Sequence, residues 1–326
     1  MNFWNGKNVL VTGSTGVIGC NLVNRLSSFD ANVITLIRDR IPERGGINTW
    51  MNGSGKTTNV HGNLEDYFFL TRIIAEYEIN HIFHLGAQTI VPVGNTSPLT
   101  TFKANIEGTW NLLEAARVVD SYSHQIKSIC VASSDKAYGT SKVLPYTETM
   151  PLCGEHPYDV SKSCTDLIAQ SYGNTYALPV YIARMGNIYG PGDMNFNRIV
   201  PGTIRNMLEK KRPQIRSDGT PIREYFFVQD AVEAYLCMAQ NAPGLCKPGE
   251  AFNFSSGEKM NVLDLVSLII KLMKSDLKPE ILDSSRHEIQ DQILSIKKAE
   301  KVLNWKPAFT LKKGLPVTIK WYKEVF

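Results

Sequence analysis

Short apolar runs punctuate the first 185 residues, and between them apolar positions recur three and four apart. Runs of this kind fit strands buried on both faces, and the wider spacing fits the helices that cover them. The first run is Asn8-Val9-Leu10-Val11-Thr12, followed by helical spacing through Leu22, Val23 and Leu26. A second strand is predicted over 32–37, a third ending in 60–64, a helix over 67–78 and a fourth strand from 81 towards 88. A long helix over 102–116 and a fifth strand over 129–132 continue the alternation. The order β-α-β-α-β-α-β-α-β predicts a doubly wound parallel sheet. Beyond it the pattern predicts a helix over 161–172, a sixth strand over 179–184, and helices over 199–208, 230–239, 262–273, 296–303 and 311–322. A breaker-rich loop at 185–192 and a polar loop at 283–292 interrupt them.

The first strand runs into Gly13-Ser14-Thr15-Gly16-Val17-Ile18-Gly19 and then into a helix. In that context Gly13 permits the tight turn, Gly16 lets the backbone approach a pyrophosphate and Gly19 lets helix and strand pack closely. Thr15, Val17 and Ile18 supply amides at the helix start, where phosphate binds well. The second strand ends at Arg38-Asp39-Arg40. An acidic residue there accepts bonds from a ribose 2′-hydroxyl, whereas Arg accommodates the 2′-phosphate of NADP, so Arg38 leans towards NADP with NAD as the alternative. The Gly-rich stretch 45–56 is expected to form a flexible excursion near the adenosine.

Asn63 and Leu64 at the third strand end, and Leu85, Gly86, Ala87 and Gln88 at the fourth, are expected to border the cofactor, with Gln88 also reaching substrate. Asn105, Ser133 and Met185 complete that expectation. His61 and His84 have no partner at metal-ligand spacing and read as loop or core histidines, so no metal is expected.

The stretch that organises the chemistry is Ser133-Ser134-Asp135-Lys136, at the carboxyl end of the fifth strand, followed by Tyr158-Asp159-Val160-Ser161-Lys162. Carboxyl ends of strands are where open α/β sheets bind ligands. Tyr158 and Lys162 are four apart, one helical turn, and an ammonium beside a phenol lowers the phenol's pKa towards working pH.

Composition leaves this picture intact. The chain has 326 residues, 43% apolar and 20% charged, with a formal charge of +4. That length suits one large α/β unit with a smaller lobe, and that charge gives no case for nucleic acid. Six cysteines without Cys-x-x-Cys spacing read as reduced structural thiols. The N-terminus lacks the layout of a signal peptide, and no apolar run approaches the roughly 18 residues of a membrane span, so a cytoplasmic protein without membrane contact is expected. Residues 1–185 are expected to bind NAD(P) and 186–326 mainly the substrate, with segments near 225–255 returning to the Rossmann-type unit.

The Gly13/Gly16/Gly19 turn, Ser133 to Lys136, Tyr158/Lys162 and Arg184-Met-Gly-Asn-Ile-Tyr-Gly-Pro-Gly192 together resemble the extended short-chain dehydrogenase/reductases, and within them the nucleotide-sugar 4,6-dehydratases and epimerases. Ser133-Ser134-Asp135-Lys136 with Ala137-Tyr138-Gly139, and the opening Phe3-Trp4-Asn5-Gly6-Lys7, resemble the CDP-glucose 4,6-dehydratases. The loop 190–198 departs from their strict form, Lys136 departs from the Glu of the dTDP-glucose enzymes, and Arg38 resembles the NADP-binding arginine of GDP-mannose dehydratases.

The resemblance implies roles. Tyr158 would take the sugar 4-hydroxyl proton while C4 gives hydride to the nicotinamide, Lys162 would bind the nicotinamide ribose, and Ser134 would hydrogen-bond the 4-oxygen. Asp135 would be the acid for the departing 6-hydroxyl and Lys136 the base at C5, made neutral by burial beside Lys162. Asn187 and Arg223 would hold the diphosphate of a nucleotide-diphosphate hexose, and the basic residues Arg198 and Arg216 belong to the same substrate side. The product would be a 4-keto-6-deoxy sugar nucleotide for deoxysugar and polysaccharide synthesis, with the cofactor regenerated. The alternatives are a UDP-sugar 4-epimerase or a UDP-uronate decarboxylase. A scaffold would have no need of Tyr158 and Lys162. Relatives commonly dimerise through two helices per subunit, here those holding Phe102 and Ser161, so a homodimer is expected.

Overall fold

The computed structural model describes residues 2–39, 57–284 and 289–326. The expected excursion at 45–56, and Arg40, lie outside these residues, as does part of the polar loop at 283–292.

The chain opens with β1 (Asn8–Thr12), α1 (Val17–Ser27), β2 (Asn32–Ile37), β3 (Thr57–His61), α2 (Tyr67–Glu76) and β4 (His81–His84). Next come α3 (Val91–Thr96), α4 (Pro98–Phe102), a π-turn (Lys103–Glu107), α5 (Gly108–Ser123) and β5 (Ser128–Ala132). A 3₁₀ turn (Asp135–Tyr138) leads by a long loop to α6 (Pro157–Tyr176) and β6 (Val180–Met185). The second half holds β7 (Ile188–Tyr189), α7 (Ile199–Leu208), β8 (Gln214–Ile215), β9 (Ile222–Glu224), β10 (Phe226–Phe227), α8 (Val228–Leu245) and β11 (Ala251–Phe254). It ends with β12 (Lys259–Asn261), α9 (Val262–Leu272), β13 (Glu280–Ile281), α10 (Lys297–Leu303) and α11 (Leu311–Val325).

Seven strands form one sheet in the order β11-β6-β5-β4-β1-β2-β3. Every pairing in it is parallel. The order reverses direction between β1 and β4, and a crevice opens at their carboxyl ends, where ligands bind in such sheets. One face is covered through Leu22, Leu26, Tyr235, Met238 and Trp305, the other through Ile73, Ile74, Leu112, Leu113 and Val119. Burial on both faces is why these strands read as unbroken apolar runs. A separate core of Val200, Ile204, Leu265, Ile269, Leu315 and Tyr322 joins α7, α9 and α11 beyond the sheet.

Three helices differ from expectation, and the one predicted over 230–239 runs from Val228 to Leu245. The one predicted over 161–172 starts at Pro157, whose fixed φ suits the first helical position, so Tyr158 stands in its first turn. The one predicted over 102–116 begins at Pro98, and its π-turn interrupts it around Asn105. Among the described residues no helix is long and apolar enough to cross a membrane.

Candidate active site

A cavity of about 1360 Å³ runs along the carboxyl ends of β1, β4, β5 and β6 and out between α7 and β8. Drug-sized pockets measure roughly 300–1,000 Å³, so this one has room for two elongated ligands.

At one end lies the glycine turn. Gly13 has φ +69°, and a Cβ there would stand 2.7 Å from the Leu85 and Gly86 backbone. A Cβ on Gly19 would stand 2.1 Å from the Gly13 carbonyl, so α1 packs directly on the turn. No side chain caps α1 at Gly16 and no acidic residue occupies its first turn. Its amides and positive dipole end are thereby left for an anion. Thr15, Gly16, Val17 and Ile18 line the cavity. Arg38 and Asp39 line it at the end of β2, exposed and joined by a 2.6 Å ion pair.

Asn63, Leu64 and the residues Leu85, Gly86, Ala87 and Gln88 form the middle wall. Thr12 Oγ1 accepts from the Gly86 amide at 3.0 Å and lies 3.0 Å from His84 Nδ1, while His84 Nε2 lies 3.1 Å from Thr109 Oγ1. Burial pushes His84 down to about 3, so it is a neutral core ring tying β1, β4 and α5 together. Asn105 is placed behind this wall and does not line it. Its side chain accepts from the Gln88 amide at 2.6 Å and donates to the Gln88 carbonyl at 3.0 Å and to Ser161 Oγ at 2.9 Å. The expected cofactor contact is therefore corrected to a support: the π-turn brings the amide inward against main chain, and such turns recur at functional sites.

Ser133, Ser134, Asp135 and Lys136 line the cavity where β5 ends, facing Tyr158 and Lys162 from α6 and Met185 from β6. The Ser133 hydroxyl is buried with no hydrogen-bond partner in the protein, as a group awaiting a ligand would be. Ser134 Oγ donates to Asp135 Oδ1 at 3.0 Å and accepts from the Lys136 amide at 3.2 Å. Burial raises the Asp135 carboxyl above its ordinary range, against the pull of Lys136, Ser134 and Arg223. The Asp135 carboxyl is thus held towards its acid form, as a proton donor requires.

Lys162 Nζ donates to the Ala132 carbonyl at 2.7 Å, and burial lowers the ammonium to about 8 against the pull of Asp166. The Tyr158 phenol is pushed up to about 12 by burial, with Arg198 the strongest group favouring its charged form. The expectation that Lys162 holds the phenol down is corrected here: its ammonium is directed to the main chain of β5, and Arg198 supplies the opposing charge. Lys136 is half-buried on the cavity wall, less enclosed than Lys162.

On the far side, Asn187 is exposed on the rim with φ +47°. Arg198 is half-buried and held by Asp193 at 3.3 Å, and the exposed Arg216 donates to Asn197 at 3.0 Å. Arg223 lines the cavity but is buried, its guanidinium donating to the carbonyls of Ile222, Ile289 and Gln290. These bonds clamp the 289–292 segment beside the site.

Three features were not foreseen. The 3₁₀ turn is anchored from below by Arg184, whose guanidinium pairs with Asp166 at 2.8 Å and donates to Tyr138 Oη at 2.8 Å, all buried. The Asp166 and Arg184 positions sit in the α6 and β6 patterns, but a charge inside an apolar run was the available signal. The α3 segment, from Val91, lines the cavity without any apolar period that would announce it. Gly186 faces Asp135 with no side chain between them. Among the described residues no group of three or more His, Cys, Asp or Glu could hold a metal ion.

The geometry of this cleft fits a nicotinamide dinucleotide: an uncapped helix start and glycine turn for its phosphates, and an orphaned serine beside Lys162 and Tyr158. Comparison with known proteins agrees with that fit. A dTDP-glucose 4,6-dehydratase of Streptomyces antibioticus is 30% identical, covering 97% of this chain and 92% of its own length. A CDP-glucose 4,6-dehydratase of Salmonella typhimurium is 29% identical, covering 99% and 92%. A solved dTDP-glucose 4,6-dehydratase of Bacillus anthracis in complex with NAD superposes with a TM-score of 0.84 at 26% identity, covering 98% of this chain and 97% of that one. The family described as GDP-mannose 4,6 dehydratase matches residues 10–318, from the first strand into the last helix, and the chain belongs to that family, within the extended short-chain dehydrogenase/reductases.

Proposed function

We propose that this chain, an NAD(P)-dependent nucleotide-sugar dehydratase, converts CDP-glucose into the 4-keto-6-deoxy sugar nucleotide. The observation that carries the reading is Asp135: a buried carboxyl, held as an acid, hydrogen-bonded to Ser134 in the same cavity as Tyr158 and Lys136. An epimerase has no use for a buried acid there, since it expels no water. Lys136, which resembles the CDP-glucose enzymes at this position, and the Salmonella relative support the choice of nucleotide.

When bound, the dinucleotide supplies a two-electron acceptor at C4 and returns the same electrons at C6. The protein's own groups do the rest. Tyr158 takes the O4 proton, favoured by the Arg198 charge, while Ser134 positions O4. A ketone at C4 acidifies C5, where Lys136 takes the proton, and Asp135 protonates the departing 6-hydroxyl. Lys162, fixed by the Ala132 carbonyl, would hold the nicotinamide ribose. Asn187, Arg198, Arg216 and Arg223 form the diphosphate side, with residues 1–185 serving the dinucleotide and 186–326 mainly the substrate.

Arg38 favours NADP by offering its guanidinium to a 2′-phosphate, and its pairing with Asp39 supplies the acidic group that a free 2′-hydroxyl would use. A homodimer is supported by exposed apolar residues on the two expected helices, Trp110 on α5 and Leu167 and Tyr176 on α6.

Incubation of the purified protein with CDP-, dTDP-, UDP- and GDP-glucose tests the reading. A keto-sugar chromophore developing in alkali with CDP-glucose supports it, and a chromophore only with another base moves the substrate to that nucleotide. Recovery of a 4-epimer without the chromophore would replace the reading with epimerisation. The mass of the dinucleotide released on denaturation decides between NADP and NAD.

A further inference from the structure

Elimination of water leaves the site with protons in the wrong places. In the proposed reaction C4 is oxidised and C6 reduced by the same two electrons, carried between them by the nicotinamide dinucleotide, and the net change is loss of one water. Tyr158 gains the O4 proton, and the product ketone never takes it back. Asp135 loses its proton to the departing hydroxyl. The proton that Lys136 removes from C5 returns to C5 when C6 is reduced. After each turnover Tyr158 therefore carries one proton too many and Asp135 one too few.

We propose that Ser134 returns this proton, acting as the relay between Tyr158 and Asp135 that resets the enzyme for the next turnover. The proposal rests on the dehydratase reading above. Its geometry is on the β5 end: Ser134 Oγ already donates to Asp135 Oδ1 at 3.0 Å, and the Lys136 amide pins the same oxygen at 3.2 Å. Ser134 and Asp135 are 6% and 5% exposed and stand side by side on the cavity wall with Tyr158. Asp135 Oδ2 rests on the bare Cα of Gly186, which leaves Oδ1 as the oxygen turned to the relay. The Ser134 hydroxyl also lies close enough to Tyr158 to favour the charged phenol. In the return step the Ser134 O–H bond breaks as a new O–H bond forms at Asp135 Oδ1. Ser134 then takes the phenol proton, so the phenol O–H breaks and the serine hydroxyl is restored. Charge is conserved, with one carboxylate neutralised and one phenolate formed, and no further reactant is needed.

Rapid-quench kinetics on Ser134→Ala and Ser134→Thr tests the relay, using the nucleotide-glucose from which the wild type makes keto-sugar. The Ala variant also lacks the O4 contact, so it is expected to make its first product, about one per site, more slowly than wild type and then to slow by a further roughly 10²-fold, the scale of a lost proton-transfer group. The Thr variant keeps a hydroxyl and is expected to restore continuous turnover. A small carboxylic acid in the buffer is expected to speed the slow phase of the Ala variant only. Product that forms linearly from the first turnover in Ser134→Ala, or first and later turnovers slowed equally, would overturn the relay while leaving the dehydratase reading standing. Absence of keto-sugar from the wild type with all four nucleotides would remove the reading and the relay together.

Discussion

The carboxyl of Asp135 lies against the Cα of Gly186: a Cβ built on that glycine would stand 2.1 Å from Oδ2 and 2.9 Å from Oδ1. Gly186 follows β6 directly, so the end of one strand leaves room for the acid carried by the end of its neighbour. Gly186→Ala is expected to cost about 1–3 kcal/mol, the usual penalty for overpacking. In an Asp135→Ala background the same change is expected to cost little, because the clash is gone. Urea unfolding of the two single variants and the double variant measures this coupling. Equal costs in both backgrounds would show that the contact does not constrain the acid.

Asp135→Asn separates chemistry from stability. Dehydration is expected to fall by roughly 10²- to 10⁴-fold, because an amide donates no proton to the leaving hydroxyl. Stability moves the other way. Burial raises the folded-state carboxyl above its unfolded value, so the charged acid disfavours the fold as pH rises through the folded value. The variant is expected to melt a few degrees higher than wild type at pH 8, with the gap closing on acidification as wild-type Asp135 regains its proton. A lower melting temperature at pH 8 would contradict the assignment of a strained buried acid.

Arg198 is the cation that most favours ionised Tyr158. Removing it in Arg198→Met raises the phenol further. The limb of the kcat/KM profile that depends on phenolate is therefore expected to move to higher pH by about one pH unit, within the range for loss of a nearby opposite charge. A profile that keeps its shape and drops uniformly would mean that Arg198 only binds substrate.

The pair Arg184 and Asp166 joins β6 to α6 beneath the 3₁₀ turn, both side chains at 2% exposure or less. Asp166→Asn leaves the buried guanidinium without its counter-charge and is expected to destabilise the protein by about 3–5 kcal/mol, read by urea unfolding. Replacing both by apolar residues of similar volume is expected to recover much of that loss.

The parallel sheet was legible because strands buried on both faces appear as uninterrupted apolar runs, and α7 emerged at its observed bounds, Ile199–Leu208. The short strands of the second half, β7, β8, β9, β10, β12 and β13, and the edge strand β11 of the main sheet were not foreseen, since two to four residues carry no measurable period. The start of α6 was misjudged because Tyr158 and Asp159 are polar enough to resemble loop, whereas Pro157 was the stronger local signal. At the site, residue types announced Tyr158, Lys162 and Asp135. What they could not announce is direction: that Lys162 turns its ammonium to the Ala132 carbonyl, that Asn105 stops behind the wall, or that Arg223 is wrapped by the carbonyls of 289–290. Those outcomes depend on contacts between segments far apart in the chain.

The central claim is that oxidation at C4 and reduction at C6 occur within one bound sugar, with Asp135 expelling water in between. The nucleotide-glucose that this protein accepts, carrying deuterium at C4, tests it directly by mass spectrometry and proton NMR of the product. The expected product is a 4-keto sugar nucleotide with the deuterium in its C6 methyl group. Deuterium recovered at C4 of an epimerised or unchanged hexose, with oxygen still at C6, would contradict it.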